Sequence, residues 1–254
     1  MHFFIMMNKH LSVKCLFLFA VLAAGCLDHS HRPPLDSVAD VKARDVLAKA
    51  IVRSGGWQNW KSLDTIAYLK RTLLFDSLGN LESDRKELHR YRLQPELTMH
   101  ISWKEGEDSH EIFYRKEQVE KRLNGSPVSA DTEALRRTAS SALYVLFMPF
   151  KLLDPGVKLT YKGIVTLPDG RRVHVIAANY EPGEHWEYYF DRKTCDFVAS
   201  MVDHGDYRAL VTNDEFITLG GLRFNAFRTS HRVDQNRKIL YKRGEFYYDD
   251  FAVQ

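Results

Sequence analysis

The sequence predicts a mainly β protein with helices (α+β), in which one curved antiparallel sheet forms an incomplete barrel with helices packed on its concave face. Three observations carry this reading. From Asp64 onward, apolar and polar residues alternate with a period of two in run after run, each bounded by Gly, Pro, Asn or Asp turn signals. The runs amount to roughly eleven strands at intervals close to 8–12 residues, the rhythm of a sandwich or barrel. One stretch breaks the rhythm: Ala142–Phe150 carries no charge, and Tyr144 is its only polar-tipped residue. A sheet curled around that greasy helix is the economical arrangement. The third observation is size. A chain of 254 residues, 44% of them hydrophobic, suffices for one large core and shows no repeat, low-complexity block or internal domain boundary.

Residues 1–25 read as an export signal, with Lys9 and Lys14 as its positive start and the apolar core Cys15–Ala24, too short to span a bilayer comfortably. The core ends in Leu22-Ala23-Ala24-Gly25-Cys26, which resembles a bacterial lipobox, although Ala23 stands where leucine is more usual. The resemblance implies a diacylglycerol-bearing Cys26 and a membrane anchor; an ordinary secretory signal cut elsewhere is the alternative. Leu27, rather than aspartate, follows the cysteine. By resemblance to the sorting rule of enterobacterial lipoproteins, this implies the outer membrane, facing the periplasm. Residues 26–39 form a lipidated tether stiffened by Pro33-Pro34, and residues 40–254 a single β-rich domain. His29 and His31 in that tether lack a third fixed ligand and read as solvated linker.

A first helix is expected from about Asp40 to Arg53, with Val41, Val46, Leu47, Ala50 and Ile51 on one face and Ser54-Gly55-Gly56 as its stop. Trp57 and Trp60 follow in a short connector. Strands are then expected at Thr65–Phe75, Leu81–Leu93, Glu96–Lys104, Ser109–Lys116 and Val119–Leu123, the last ending at the hairpin signal Asn124-Gly125. The apolar helix occupies about 131–150. Leu135, Ala139, Ala142 or Leu143, Leu146 and Phe150 fall at helical spacing, Pro149 ends or kinks it, and Asp154-Pro155-Gly156 turns the chain. Seven further runs follow: Val157–Thr166, Arg171–Asn179, Trp186–Asp191, Cys195–Asp203, Tyr207–Leu219, Leu222–Val233 and Lys238–Phe251, which closes the chain.

Composition excludes some functions. A net charge of +3, interspersed in sign, is no footprint for nucleic acid. Of the three cysteines, Cys15 falls in the leader and Cys26 at the lipobox. Cys195 is left alone at an expected turn, with no neighbouring base and no partner for a disulfide framework. No P-loop, GxGxxG, HExxH or GxSxG is present, and no cofactor is implied. Gly183–Glu187 places His185 and Glu187 on one side of a strand, a candidate general-base pair or ligand pair; surface charge alternation is the simpler reading. Asp203-His204-Gly205-Asp206 reads as a hairpin turn, and His110-Glu111 is weaker still. Aromatic runs such as Tyr188–Phe190 and Phe246–Tyr248 suit strands and pocket walls alike.

The phrase Tyr144–Phe150, followed by Leu153-Asp154-Pro155-Gly156, resembles an uncharacterised family of bacterial lipid-anchored envelope proteins with an MPF…DPG segment. That family is in turn similar to LolA/LolB-like lipoprotein carriers. The likeness runs from about residue 42 to 251 and implies a LolA-like fold: an incomplete antiparallel barrel with helices over an apolar cavity that takes acyl chains. It supplies no catalytic residue. The expected function is therefore non-enzymatic binding of a lipid or acyl chain at the envelope, with Leu143, Phe147, Phe150, Trp57, Trp60 and Trp103 as ligand-binding candidates. An envelope structural or interaction module with a filled barrel is the competing class, and a hydrolase using the His185/Glu187 region a third. The sequence names no protein partner.

Overall fold

The structure, a computed structural model, describes residues 32–116, 118–180 and 184–254, the side chains of Ser140 and Glu184 excepted. The export signal, Cys26 and the His29/His31 pair lie outside the described residues.

Among the described residues there are three α-helices: α1 (Val41–Arg53), α2 (Trp57–Lys61) and α3 (Thr132–Phe147). Asp40 caps α1 by accepting from the Ala43 amide at 3.0 Å, and its second oxygen accepts from the Tyr161 amide at 2.9 Å. The carboxylate thus ties the start of α1 to a strand far along the chain. The buried stripe of α1 is Ala43, Val46, Leu47, Ala50 and Ile51, whereas Val41 is exposed. At the other end Gly55 takes φ +107°, and a Cβ there would sit 2.1 Å from the Gly221 carbonyl oxygen. Only glycine permits that approach. The Trp57–Trp60 connector is itself the short helix α2.

Thirteen strands make one sheet. They are β1 (Thr65–Phe75), β2 (Leu81–Arg92), β3 (Thr98–Glu105), β4 (Asp108–Arg115), β5 (Gln118–Leu123), β6 (Ser126–Val128), β7 (Lys158–Thr166), β8 (Arg172–Tyr180), β9 (Glu184–Asp191), β10 (Phe197–Asp203), β11 (Arg208–Leu219), β12 (Leu222–Val233) and β13 (Ile239–Val253). Every neighbouring pair is antiparallel, in the order β6-β5-β4-β3-β2-β1-β13-β12-β11-β10-β9-β8-β7. Two meanders, β1–β6 and β7–β13, are fused where β1 pairs with β13. The sheet does not close: β6 and β7 are its edges, and α3 is the helix in the connection between them.

Asp131 caps α3, accepting from the amides of Glu133 and Ala134 at 2.9 and 3.1 Å. The helix ends at Phe147, and Met148 is extended, as the residue before a proline must be. Phe150–Leu153 then form a 3-10 turn that buries Phe150, Leu152 and Leu153. The principal core joins the buried stripes of α1 and α3 to one face of the sheet, including Ile66, Tyr68, Tyr91, Ile101, Tyr188 and Phe190. Val38 also belongs to it, so the segment read as tether enters the fold before α1. A smaller cluster, with Val173, Val175, Tyr189 and Leu210, lies on the opposite face.

Candidate functional site

A cavity of about 1210 Å³ lies between α3 and the sheet. Its helical wall is Ser141, Ala142, Tyr144 and Val145, continued by Met148 just past the helix, and Glu133, Arg136 and Arg137 stand at one end. The facing wall draws on strands far apart in the sheet: Ile112 of β4, Tyr68 of β1, Phe246 and Tyr248 of β13, and Tyr188 of β9. In a flat sheet β4 and β9 would be roughly 40 Å apart at about 4.8 Å per strand. For both to line one cavity the sheet must curve back toward itself.

The wall is aromatic. Trp186 and Tyr188 stack with centroids 6.0 Å apart, Tyr144 meets Tyr180 edge-on at 5.3 Å, and the Tyr180 and Tyr188 hydroxyls are 2.9 Å apart. Burial, with the Asp154 charge and hydrogen bond added, pushes the Tyr144 hydroxyl up to about 12.

A polar network lies in the β1–β2 part of the wall. Glu87, His89 and Tyr91 alternate along β2 and so share a face, and Tyr68 of β1 joins them. Burial raises the Glu87 carboxyl, but the His89 hydrogen bond and the Lys70 and Arg85 charges outweigh it and hold the group at about 2. Lys70 and Arg85 reach it at 3.5 and 3.1 Å. Burial lowers His89, which is therefore the neutral imidazole. Its Nε2 stands 3.3 Å from Glu87 and, facing an ionised carboxylate, carries the proton. Nδ1 then accepts from the Tyr91 hydroxyl at 2.9 Å, and the Tyr68 hydroxyl donates to the Tyr91 oxygen at 3.0 Å. Burial raises both tyrosines well above their ordinary value, so they stay protonated donors. The network is satisfied within itself and ties β1 to β2 on this wall.

The six residues singled out for ligand contact are placed as follows. Trp60 packs against Phe147 at 4.7 Å and stacks on Phe150 at 5.1 Å; Phe147 also meets Tyr91 edge-on at 5.8 Å. Leu143, Phe147 and Phe150 are buried, and Trp57 and Trp60 pack against the same core. Trp103 packs against that core as well, stacked on His110 at 5.0 Å with the Arg85 guanidinium 5.4 Å from its ring. None of the six is on the wall of the α3 cavity. The opposite stripe of α3 lines it, and that stripe carries a signal of its own: Thr138, Ser141, Ala142 and Val145 are small residues at helical spacing, which leave room beside the helix.

His185 and Glu187 turn to different partners. His185 Nδ1 meets Asn179 at 3.0 Å, whereas Glu187 is paired with Arg237 at 2.9 Å and accepts from the Tyr189 hydroxyl at 2.5 Å. Tyr189 belongs to the cluster on the face away from α3, while Trp186 and Tyr188 line the cavity. Asp203 takes its expected turn role, accepting from the Gly205 amide at 2.9 Å. His110 and Glu111 do not pair with each other: Glu111 bonds His100 at 2.9 Å. Cys195 is a buried free thiol in the turn before β10, raised by burial. Among the described residues no three His, Cys, Asp or Glu side chains converge as a metal ion needs. A second cleft of about 1090 Å³ runs beside β1–β5 and the end of β13, and carries Arg90 and Arg92.

No family model and no curated protein matches this chain. Solved structures do. A LolA superfamily protein from Nitrosomonas europaea superposes with a TM-score of 0.51 at 9% identity, over 84% of this chain and 93% of that one. A domain named for outer membrane lipoprotein sorting, from Vibrio parahaemolyticus, gives 0.49 at 12% identity over 84% and 92%. A DUF1329 family protein from Desulfovibrio piger gives 0.45 at 9% identity over 82% and 92%. The first of these establishes the fold: the curved, unclosed antiparallel sheet is LolA-like, as the MPF…DPG resemblance implied.

Proposed function

We propose that this protein is a lipid-anchored envelope protein that binds a hydrophobic ligand, a lipid or acyl chain, in the cavity between α3 and the concave face of its half-barrel, without catalysis. The observation that carries this is the cavity itself. An apolar helix and aromatic strand positions face one another across about 1210 Å³ of space. Burying a chain there is favourable at about 25 cal/mol per Å² of apolar surface. The contacts fall to Ala142, Val145 and Met148 on the helix and Tyr188, Phe197, Phe246 and Tyr248 on the sheet. Of the six residues named from the sequence, Trp60, Phe147 and Phe150 then act at one remove, by seating α3 through their stack. The Leu22–Cys26 lipobox supports an anchor at Cys26, and Leu27 an outer-membrane address facing the periplasm. The fold likeness to a LolA superfamily protein supports a carrier architecture.

Native mass spectrometry of the full chain after mild extraction tests the reading. A co-purified lipid mass that exchanges with added fatty acid is expected. Protein that carries no lipid and takes up no apolar probe would instead fit a structural module of the envelope.

A further inference from the structure

We propose that the cavity is selective for an anionic amphiphile and that Arg228 seats its acidic headgroup. This rests on the cavity reading above and adds the class of ligand to it.

Arg228 lies on the cavity wall and is 5% exposed. Its Nε donates to the neutral Asn213 carboxamide at 2.9 Å, and Asn213 in turn donates to the Phe197 carbonyl at 3.1 Å. That chain of bonds aims the guanidinium and leaves its charge uncompensated: among the described residues no carboxylate lies within ion-pair range of it. Other cations near the core are matched. Lys70 and Arg85 share Glu87, Arg53 and Arg223 share Asp196, and Arg237 has Glu187. A buried charge without a counter-charge is costly, and an arriving anion removes that cost. The guanidinium fork suits the paired oxygens of a carboxylate or phosphate.

A second unmet polar group stands in the same cross-strand row. Arg228 opposes Phe246, and Phe246 opposes Thr72, so the three share a face. The Thr72 hydroxyl is buried and has no hydrogen-bond partner. Val211, Phe197 and Phe246 stand beside Arg228, with Val145 and Met148 across the cavity; the polar groups nearest in the lining are Ser200 and the Glu87-paired Lys70. Of the other cations on that wall, Lys70 and Arg85 are paired with Glu87, and Arg136 and Arg137 are exposed on α3; the buried Arg228 therefore matches a ligand with one acidic end and a hydrocarbon tail.

The test measures binding of two matched pairs to the purified full-length protein: palmitate against methyl palmitate, and lysophosphatidate against monoacylglycerol. The wild type should prefer the acidic member of a pair by roughly ten- to a hundredfold, the range of a charge-assisted hydrogen bond. The pair that shows the preference identifies carboxylate or phosphate as the headgroup. Arg228→Gln should abolish the preference while still binding the neutral member, and Arg228→Lys should keep part of it. Equal affinity within both pairs for the wild type overturns the headgroup proposal and leaves the apolar cavity standing. A folded Arg228→Gln that keeps the preference overturns Arg228 as the seat. Failure of all these amphiphiles to bind overturns the cavity reading together with this one. Should the Gln variant not fold, the wild-type pairs and the Lys variant still decide.

Discussion

Glu87 is the residue whose behaviour follows most directly from its surroundings. Its carboxyl sits at about 2 in the fold against an ordinary 4.5. A depressed value means the ionised form is favoured by folding. The stability it contributes is therefore full above about pH 4.5 and is lost as pH falls toward 2, by up to roughly 3 kcal/mol for a shift of this size. Urea midpoints measured across that window should fall steeply for the wild type and less steeply for Glu87→Gln; equal slopes would mean the Lys70, Arg85 and His89 contacts do not stabilise the charge. Phe147 is a packing residue, 2% exposed and wedged against Trp60 and Tyr91. Phe147→Ala should cost about 3–5 kcal/mol in chemical unfolding, and a loss below 1 kcal/mol would place the ring elsewhere. Cys195, buried and raised, should resist alkylation in the folded protein, and in the processed, Cys26-lipidated form it should take a single label once unfolded. A disulfide-linked dimer on a non-reducing gel would contradict that.

At the scale of the element, α3 shows what periodicity reveals and what it hides. Its existence, its charged lead-in and its end before Pro149 are legible because charge, apolar spacing and proline act locally. Which stripe meets the core is not, because Ala142–Phe150 is apolar nearly all round. Leu143 and Phe147 went inward with the Trp60 stack, and the smaller Ala142 and Val145 were left facing the space. Most strands fall within a residue or two of their expected bounds, since each has a turn signal at its end. Strand β6 escaped notice because three residues with Pro127 at the centre carry no alternation. The Glu87-His89-Tyr91 network reads in sequence as ordinary polar alternation; only pairing with Tyr68 across the β1–β2 hairpin makes it a network. The junction of α1 with the β11–β12 turn is similarly invisible beforehand. Gly55 fits against Gly221 only without a side chain, and the Arg223 amide donates to the Ser54 carbonyl at 3.1 Å. Gly55→Ala should destabilise by about 1–3 kcal/mol through clash and a strained φ. An unchanged melting temperature would show that the junction yields freely.

For the whole molecule, topology explains why a cavity exists. The chain lays down six strands, crosses with α3, and lays down seven more from the other edge, so the helix joins the two edges of a single curved sheet. Thirteen strands at about 4.8 Å would be far wider than a helix of about 24 Å, and curling narrows the span that the connection must cross. The fusion of β1 with β13 could not be read in advance, because a ladder between distant strands leaves no local trace. At the envelope, Cys26→Ser should shift the protein out of the membrane fraction; a mutant that still sediments after a carbonate wash would place the anchor elsewhere. The central claim is that the space beside α3 is a ligand site. Val145 lines that space and is only partly buried, so Val145→Trp should fill it without disturbing the Trp60–Phe147–Phe150 stack. Equilibrium uptake of a fluorescent fatty acid by the full chain is the direct measurement. Saturable binding by the wild type, at least tenfold weaker in a Val145→Trp variant of unchanged melting temperature, is the expected result; no saturable uptake by the wild type, or equal uptake by both, would contradict it.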